Sequence, residues 1–141
     1  MPGGSGSPGS AGQPRPHVLV VEDDPGVRST IRLVLEMQGC RVSTASNLAE
    51  ALDEARANRG ISVMVVDYNL RNDERGTDVV RSVRTILGPG VKALLLTGDT
   101  TNAADEAAQG HGLPMLRKPI SLDQLLDFVR GAPGNGRGDL Y

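Results

Sequence analysis

Polar side chains able to bind metal ions or phosphate follow four apolar runs of the sequence. Each lies within three residues of the end of its run: Glu22, Asp23 and Asp24 after 17–21, Asp67 after 61–66, Thr97 after 91–96, and Lys118 after 113–116. Carboxylates that are packed together repel one another, so a proton or a cation must neutralise them if they share a site. Their chemistry therefore depends on whether the fold brings these positions together.

The elements that must position these residues alternate along the chain. Short β-branched and apolar runs predict five strands at 17–21, 40–44, 61–66, 91–96 and 113–116. Helical spacing of apolar residues follows each strand, with Asp24 as a helix cap before Pro25, Ser46 as the second cap, and Ser121 with Gln124 as a capping box. Five successive βα units predict a parallel sheet with right-handed crossovers and helices on both faces. The expected class is α/β with a doubly wound (βα)5 sheet, and the strand order expected is the flavodoxin-like one, 2-1-3-4-5.

In an open parallel sheet, ligands bind outside the carboxyl ends of the strands, where the strand order reverses. With strand 1 beside strand 3, the first acid cluster approaches Asp67, while Thr97 and Lys118 approach from the other side. Hard oxygen ligands of this kind suit Mg²⁺. A carboxylate can also be the nucleophile of phosphoryl transfer, so Asp67 is the candidate acceptor, with a metal ion and Lys118 neutralising the transferred oxygens. Asp24 is interpreted as a helix cap rather than a ligand.

Composition restricts the partners and the compartment. The chain has 141 residues, a formal net charge of -2 and 2% aromatic residues, which argues against a basic nucleic-acid surface and against base-stacking platforms. A single cysteine, Cys40, cannot form an internal disulfide and favours a reducing compartment. The sequence holds no apolar run near the roughly 20 residues that span a bilayer. We expect a cytoplasmic protein with no nucleic-acid partner and no direct membrane contact.

Both ends differ from the middle of the chain. Residues 1–16 and 132–141 are rich in Gly, Ser and Pro, so we predict a flexible tail or linker at the N-terminus and a flexible C-terminal tail. The folded domain is predicted to occupy residues 17–131. Because so few residues follow the last helix, no DNA-binding output domain is expected. A stand-alone regulator and a piece of a longer hybrid kinase both remain open.

Four motifs together resemble the receiver domains of two-component response regulators. They are VLVVEDDP (18–25), VVDYNL (65–70), LLLTGD (94–99) and LRKPI (116–120), in the family's order and each at a strand end. The resemblance covers residues 17–131. It implies a domain that takes a phosphoryl group from phosphohistidine onto Asp67 and switches conformation to control a partner. Such a domain catalyses only its own phosphorylation and dephosphorylation, so it is not expected to be an enzyme in the ordinary sense.

The resemblance also implies a metal site and its partners. The side chains of Asp23 and Asp67 and the main-chain carbonyl of Asn69 would bind Mg²⁺, with Glu22 acting through a metal-bound water. The implied partner is a histidine kinase or a histidine phosphotransfer protein. Monomer and homodimer both remain open.

Other positions have implied roles in switching. Thr97 is the hydroxyl that turns to bond the phosphoryl group, and Lys118 pairs with that group. Asn69 and Asp99 border the path of the water that attacks the phosphoryl group. Met115 occupies a position where an aromatic switch partner is common, so output through an inward-turning ring is not expected. The Lys118-Pro119 bond is often cis in such domains.

The loop after Asp67 departs from the commonest family pattern. Leu70-Arg71 replaces the usual Leu-Pro, and Gly76 falls one residue later than usual. The longer loop resembles receivers attached to hybrid sensor kinases.

Other functional classes on the same sheet fit less well. A degenerate receiver that binds partners without phosphorylation would be expected to have lost Asp67, Lys118 or the acid pair, and none is lost. A flavin-binding domain needs a Ser/Thr/Gly-rich phosphate loop after strand 1, where this chain reads EDD. A haloacid-dehalogenase-type phosphatase would have a second Asp two residues after its nucleophile, where this chain has Asn69.

Overall fold

The computed structural model of the protein describes residues 15–98 and 102–131, which form five strands and five helices in strict alternation. In chain order they are β1 His17–Val21, α1 Pro25–Met37, β2 Arg41–Ala45, α2 Leu48–Ala57, β3 Val63–Asp67, α3 Gly76–Leu87, β4 Lys92–Thr97, α4 Ala103–Gly110, β5 Met115–Arg117 and α5 Leu122–Arg130. All strand pairs are parallel, and the sheet order is β2-β1-β3-β4-β5. The predicted fold class and strand order are confirmed. Asp99 and nearly all of the two predicted tails lie outside the described residues.

The strand registers bring the four predicted positions to one edge of the sheet. Val21 of β1 is aligned with Val66 of β3, so the residues that follow them lie at the same level. Asp67 is aligned with Leu96, and Thr97 is aligned with Arg117. Because the strands are parallel, all four carboxyl ends open on the same crevice.

The sheet is covered on both faces, which explains why its central strands have continuous apolar sequences. Every residue of β1 and β3 is buried. One face packs against α2, α3 and α4 through residues such as Val66, Leu95 and Val80, and the other packs against α1 and α5 through Leu35 and Leu125. The polar edge is therefore held by a rigid, two-sided core.

Local signals explain the element boundaries, with small shifts from the predictions. Strands β2 to β5 begin one or two residues later than predicted and each ends one residue later. Asp24 caps α1 as predicted, since its Oδ1 accepts hydrogen bonds from the main-chain N–H groups of Gly26 and Val27 at 2.8 and 3.2 Å. The predicted cap of α2 was wrong: the helix starts at Leu48, so Asn47 is the cap and its Oδ1 accepts from the Glu50 amide at 2.8 Å.

The Lys118-Pro119 peptide bond is cis. Among the helices that the structure describes, none is both long enough and apolar enough to cross a membrane.

Candidate functional site

Three carboxylates meet at the carboxyl edge of the sheet. Glu22 and Asp23 follow β1, and Asp67 is the last residue of β3. One oxygen from each lies within 4.8 Å of the others, which is close enough for all three to contact a single metal ion. Glu22 is only 1% exposed and Asp67 only 5% exposed, whereas Asp23 is partly open to solvent. Asp24 bonds to the first turn of α1 instead, as a cap should.

A lysine from the other side of the crevice pairs with both buried carboxyl groups. The Lys118 Nζ lies 3.0 Å from the Glu22 Oε1 and 3.4 Å from the Asp67 Oδ2. Its own main-chain N–H donates to the Thr97 carbonyl at 2.7 Å, which fixes the lysine to the end of β4. The sequence prediction that Lys118 and Asp67 share one crevice therefore agrees with the structure.

The remaining predicted residues differ in how closely the structure ties them to this cluster. Thr97 ends β4 and is fully buried. Asn69 is exposed, and its main-chain N–H hydrogen-bonds to Asp67. Met115 begins β5, is half-buried and packs against the core on the α2 side. Their assigned roles, and that of Asp99 outside the described residues, stay predictions.

Burial controls the protonation of the cluster. It raises the pKa of Glu22 to about 7, because the Lys118 hydrogen bond and the Asp24 amide offset only part of the desolvation cost. Burial also raises the pKa of Asp67, against the opposing charge of Lys118. Burial disfavours the Lys118 ammonium, but its bonds to the two carboxylates outweigh this effect, and its pKa is raised. The crevice therefore favours the binding of positive charge, either a proton or a cation.

This electrostatic balance predicts a pH-dependent stability. In metal-free buffer, the folded protein holds a proton on Glu22 between pH 4.5 and about 7, where the unfolded chain has lost it. The free energy of unfolding should therefore fall as pH rises through this window, by up to about 3 kcal/mol. Urea denaturation in EDTA at several pH values measures the slope. The Glu22→Gln variant should reduce the slope to the part that the raised pKa of Asp67 contributes, and an equal slope in that variant would contradict the assignment.

Two arginines that the sequence analysis did not assign to the site also contact it. The Arg28 Nη1 donates to the main-chain carbonyl of Glu22 at 2.9 Å, and the Arg71 Nε lies 3.4 Å from the Asp23 Oδ2. For Arg71 the sequence showed only that it replaces a proline. Its contact with Asp23 depends on the conformation of the loop between β3 and α3, which no local sequence pattern predicts.

A five-stranded doubly wound sheet with an acidic crevice and a facing lysine is the arrangement expected of a receiver domain, and comparison with known proteins agrees. The family model of the response regulator receiver domain matches residues 18–130. This chain belongs to that family.

Curated relatives show the family in larger proteins. The chain is 31% identical over 117 residues to the C4-dicarboxylate transport transcriptional regulatory protein DctD of Pseudomonas aeruginosa, covering 82% of this chain and 25% of that one. It is 32% identical over 114 residues to the probable transcriptional regulatory protein TcrX of Mycobacterium tuberculosis, covering 80% and 47%. The chain thus spans only a quarter to a half of these relatives. Both relatives are named as transcriptional regulators, so the comparisons do not support the prediction that this protein has no nucleic-acid partner. The suggestion that the chain comes from a hybrid kinase stays a prediction.

Solved structures of receiver proteins have the same fold. A response regulator receiver protein from Pseudomonas putida is 28% identical, with a TM-score of 0.74 over 82% of this chain and 96% of that chain. A response regulator from Burkholderia pseudomallei, solved with a phosphorylated aspartic acid, a calcium ion and citrate, is 29% identical. Its TM-score is 0.71, over 81% of this chain and 66% of that chain.

Proposed function

We propose that this receiver domain accepts a phosphoryl group from phosphohistidine onto Asp67, with Mg²⁺ held at the crevice, and thereby controls a partner protein. The observation that carries the proposal is the cluster itself. Three carboxylate oxygens lie within 4.8 Å, two of them on nearly buried side chains, with a lysine ammonium opposite. A purely structural role does not explain why three acidic side chains, two of them buried, lie so close together.

The residues present fit a hard divalent cation. Asp23 and Asp67 each supply a carboxylate oxygen, and Asn69 follows close enough along the chain to add its main-chain carbonyl, with Glu22 contributing through a water. Mg²⁺ prefers such oxygen ligands and keeps several waters, and when bound it supplies positive charge against the oxygens of a transferring phosphoryl group. The structure of the Burkholderia relative, with a phosphorylated aspartic acid and a calcium ion, supports this combination of acceptor and cation.

The chemistry assigned to the chain's own residues is nucleophilic. A carboxylate oxygen of Asp67 forms the new O–P bond while the N–P bond of the donor phosphohistidine breaks, and the departing imidazole takes up a proton. Lys118, already within 3.4 Å of Asp67, moves its charge to the new phosphoryl oxygens. Thr97 then bonds the phosphoryl group from the neighbouring strand, and the Ala-rich α4 that follows it is the element we expect to move.

Membership of the receiver family supports the wider setting of the proposal. The phosphodonor is a histidine kinase or a histidine phosphotransfer protein, and the setting is the cytoplasm. The receiver comprises residues 17–131.

Intact-mass spectrometry after incubation with acetyl phosphate tests the proposal. We expect a phosphoryl-sized mass increase in Mg²⁺ and none in EDTA, because without the cation the crevice carboxylates oppose an incoming phosphate. No increase, in a folded protein that also fails to bind Mg²⁺, would favour a phosphorylation-independent binding module. If Mg²⁺ binds and acetyl phosphate fails, a phosphohistidine protein is the donor to use.

A further inference from the structure

The positive charges at the crevice are divided unevenly among the three carboxylates. Lys118 pairs with Glu22 and Asp67, the two buried members. Asp23 is paired instead with Arg71, whose Nε lies 3.4 Å from the Asp23 Oδ2. The Asp23 side chain is 18% exposed and that of Arg71 is 75% exposed, so this ion pair stands at the mouth of the crevice. A cation entering from solvent meets it first.

The loop that carries Arg71 is folded, and its fold directs the arginine towards Asp23. Residues 69 and 75 form an isolated antiparallel bridge, and the Leu70 amide donates to the Glu74 carbonyl at 3.0 Å. Asn72 and Asp73 turn the chain with φ values of 62° and 61°. These side chains tolerate the left-handed region better than most.

The same loop is attached to a neighbouring helix. The Glu74 Oε1 accepts a hydrogen bond from the Leu48 amide at 2.9 Å, so this loop carboxylate satisfies a free N–H group in the first turn of α2. The loop that carries Arg71 is therefore held by the bridge between residues 69 and 75 and by the hydrogen bond between Glu74 and α2. These bonds hold the backbone of Arg71 within reach of Asp23.

We propose that Arg71 is a tethered cation that competes with Mg²⁺ for Asp23 and so weakens metal binding by this receiver. The inference rests on the proposed function, since it assumes that Mg²⁺ binds at the crevice. A guanidinium is permanently charged and cannot vacate the carboxylate by losing a proton. Mg²⁺ would bind an oxygen of the same carboxylate, so the two positive charges repel each other across Asp23 and share its negative charge. This repulsion weakens the ion pair when the metal binds, and it lowers the affinity for the metal by the same free energy.

Isothermal titration of the full chain with MgCl₂ tests this competition. Arg71→Gln removes the competing charge, and Arg75→Gln is the matched control. Arg75 lies on the same loop, but its guanidinium is placed over the Tyr68 ring, 5.7 Å from the ring centroid. Both variants lose one positive charge, so the control measures the general electrostatic effect. We expect Arg71→Gln to lower the Kd for Mg²⁺ about threefold beyond the control, which is the scale of a solvent-exposed ion pair.

The outcomes separate this inference from the proposed function. Metal-free melting curves verify that each variant is folded. A Kd for Mg²⁺ that is unchanged relative to the control would overturn the competition and show that Arg71 has no effect on metal binding. A raised Kd would also overturn it and would indicate that Arg71 orients Asp23 for the metal. Wild-type protein that binds no Mg²⁺ would overturn the metal site of the proposed function, and this inference with it. If the wild type binds Mg²⁺ and Arg71→Gln binds it more tightly than Arg75→Gln does, the result supports both the proposed metal site and the competition.

Discussion

Asp67→Asn should abolish the Mg²⁺-dependent mass increase produced by acetyl phosphate. The substitution keeps the size of the side chain but removes the carboxylate oxygen that attacks phosphorus, and an amide is far too weak a nucleophile to replace it. The variant should remain folded. Asp67 is buried beside Glu22, and removing one of two crowded carboxylates relieves repulsion between them. Intact-mass spectrometry of the variant beside wild type measures the loss.

Asp24→Asn is the matched control for this prediction. Asp24 lies in the same acidic run but caps α1 through its Oδ1, and asparagine caps helices about as well as aspartate. The control should keep both its stability and its phosphorylation. A phosphoryl-sized increase that persists in Asp67→Asn, or disappears in Asp24→Asn, would contradict the assignment of the acceptor.

Gly76→Ala should destabilise the fold strongly, although it adds only one methyl group. A Cβ at Gly76 would lie 2.5 Å from the main-chain oxygen of Asp67, 3.0 Å from the Tyr68 Cα and 3.1 Å from the Asp67 carbonyl carbon. All three atoms belong to the backbone that carries the proposed phosphoacceptor, and Gly76 is itself bonded to it, since its amide donates to the Tyr68 carbonyl at 2.7 Å. Neither side can move away cheaply. We expect a loss of about 3 kcal/mol in the free energy of unfolding.

The direction of this change in stability is informative, because replacing glycine by alanine within a helix normally stabilises the helix. Gly110→Ala provides the comparison: Gly110 ends α4, and a Cβ there would meet nothing within 4 Å. That variant should be as stable as wild type or slightly more stable. Urea denaturation measures both. A Gly76→Ala protein as stable as wild type would show that the close approach of α3 to β3 is not needed.

The fold could be predicted because its central strands are buried on both faces. Runs such as 17–21 and 61–66 stand out as continuous apolar segments, and helical spacing between them leaves few architectures. The ends of the strands were harder to place. Asp67 looked like the first loop residue because it is polar, yet its alignment with Leu96 keeps it in β3. Backbone pairing, which the residue type does not reveal, decides such boundaries.

The residues of the site were predictable in a similar way, and their environment was not. Glu22, Asp67 and Lys118 each follow an apolar run, and parallel strands end at the same edge, so their proximity follows from topology. The burial of Glu22, and with it the raised pKa, depends on how the surrounding elements pack. The contact between Arg71 and Asp23 depends on two left-handed residues, Asn72 and Asp73, whose conformation the sequence does not specify.

Chemical trapping of the acyl phosphate tests the central claim most directly. Borohydride reduces an aspartyl phosphate to homoserine, so the modified residue can be identified by peptide mapping after the protein has been incubated with acetyl phosphate. We predict homoserine at position 67 in Mg²⁺ and no conversion in EDTA. Conversion at Asp23, or conversion at Asp67 that is independent of Mg²⁺, would contradict a phosphoacceptor site in which Asp67 and a crevice-bound cation act together.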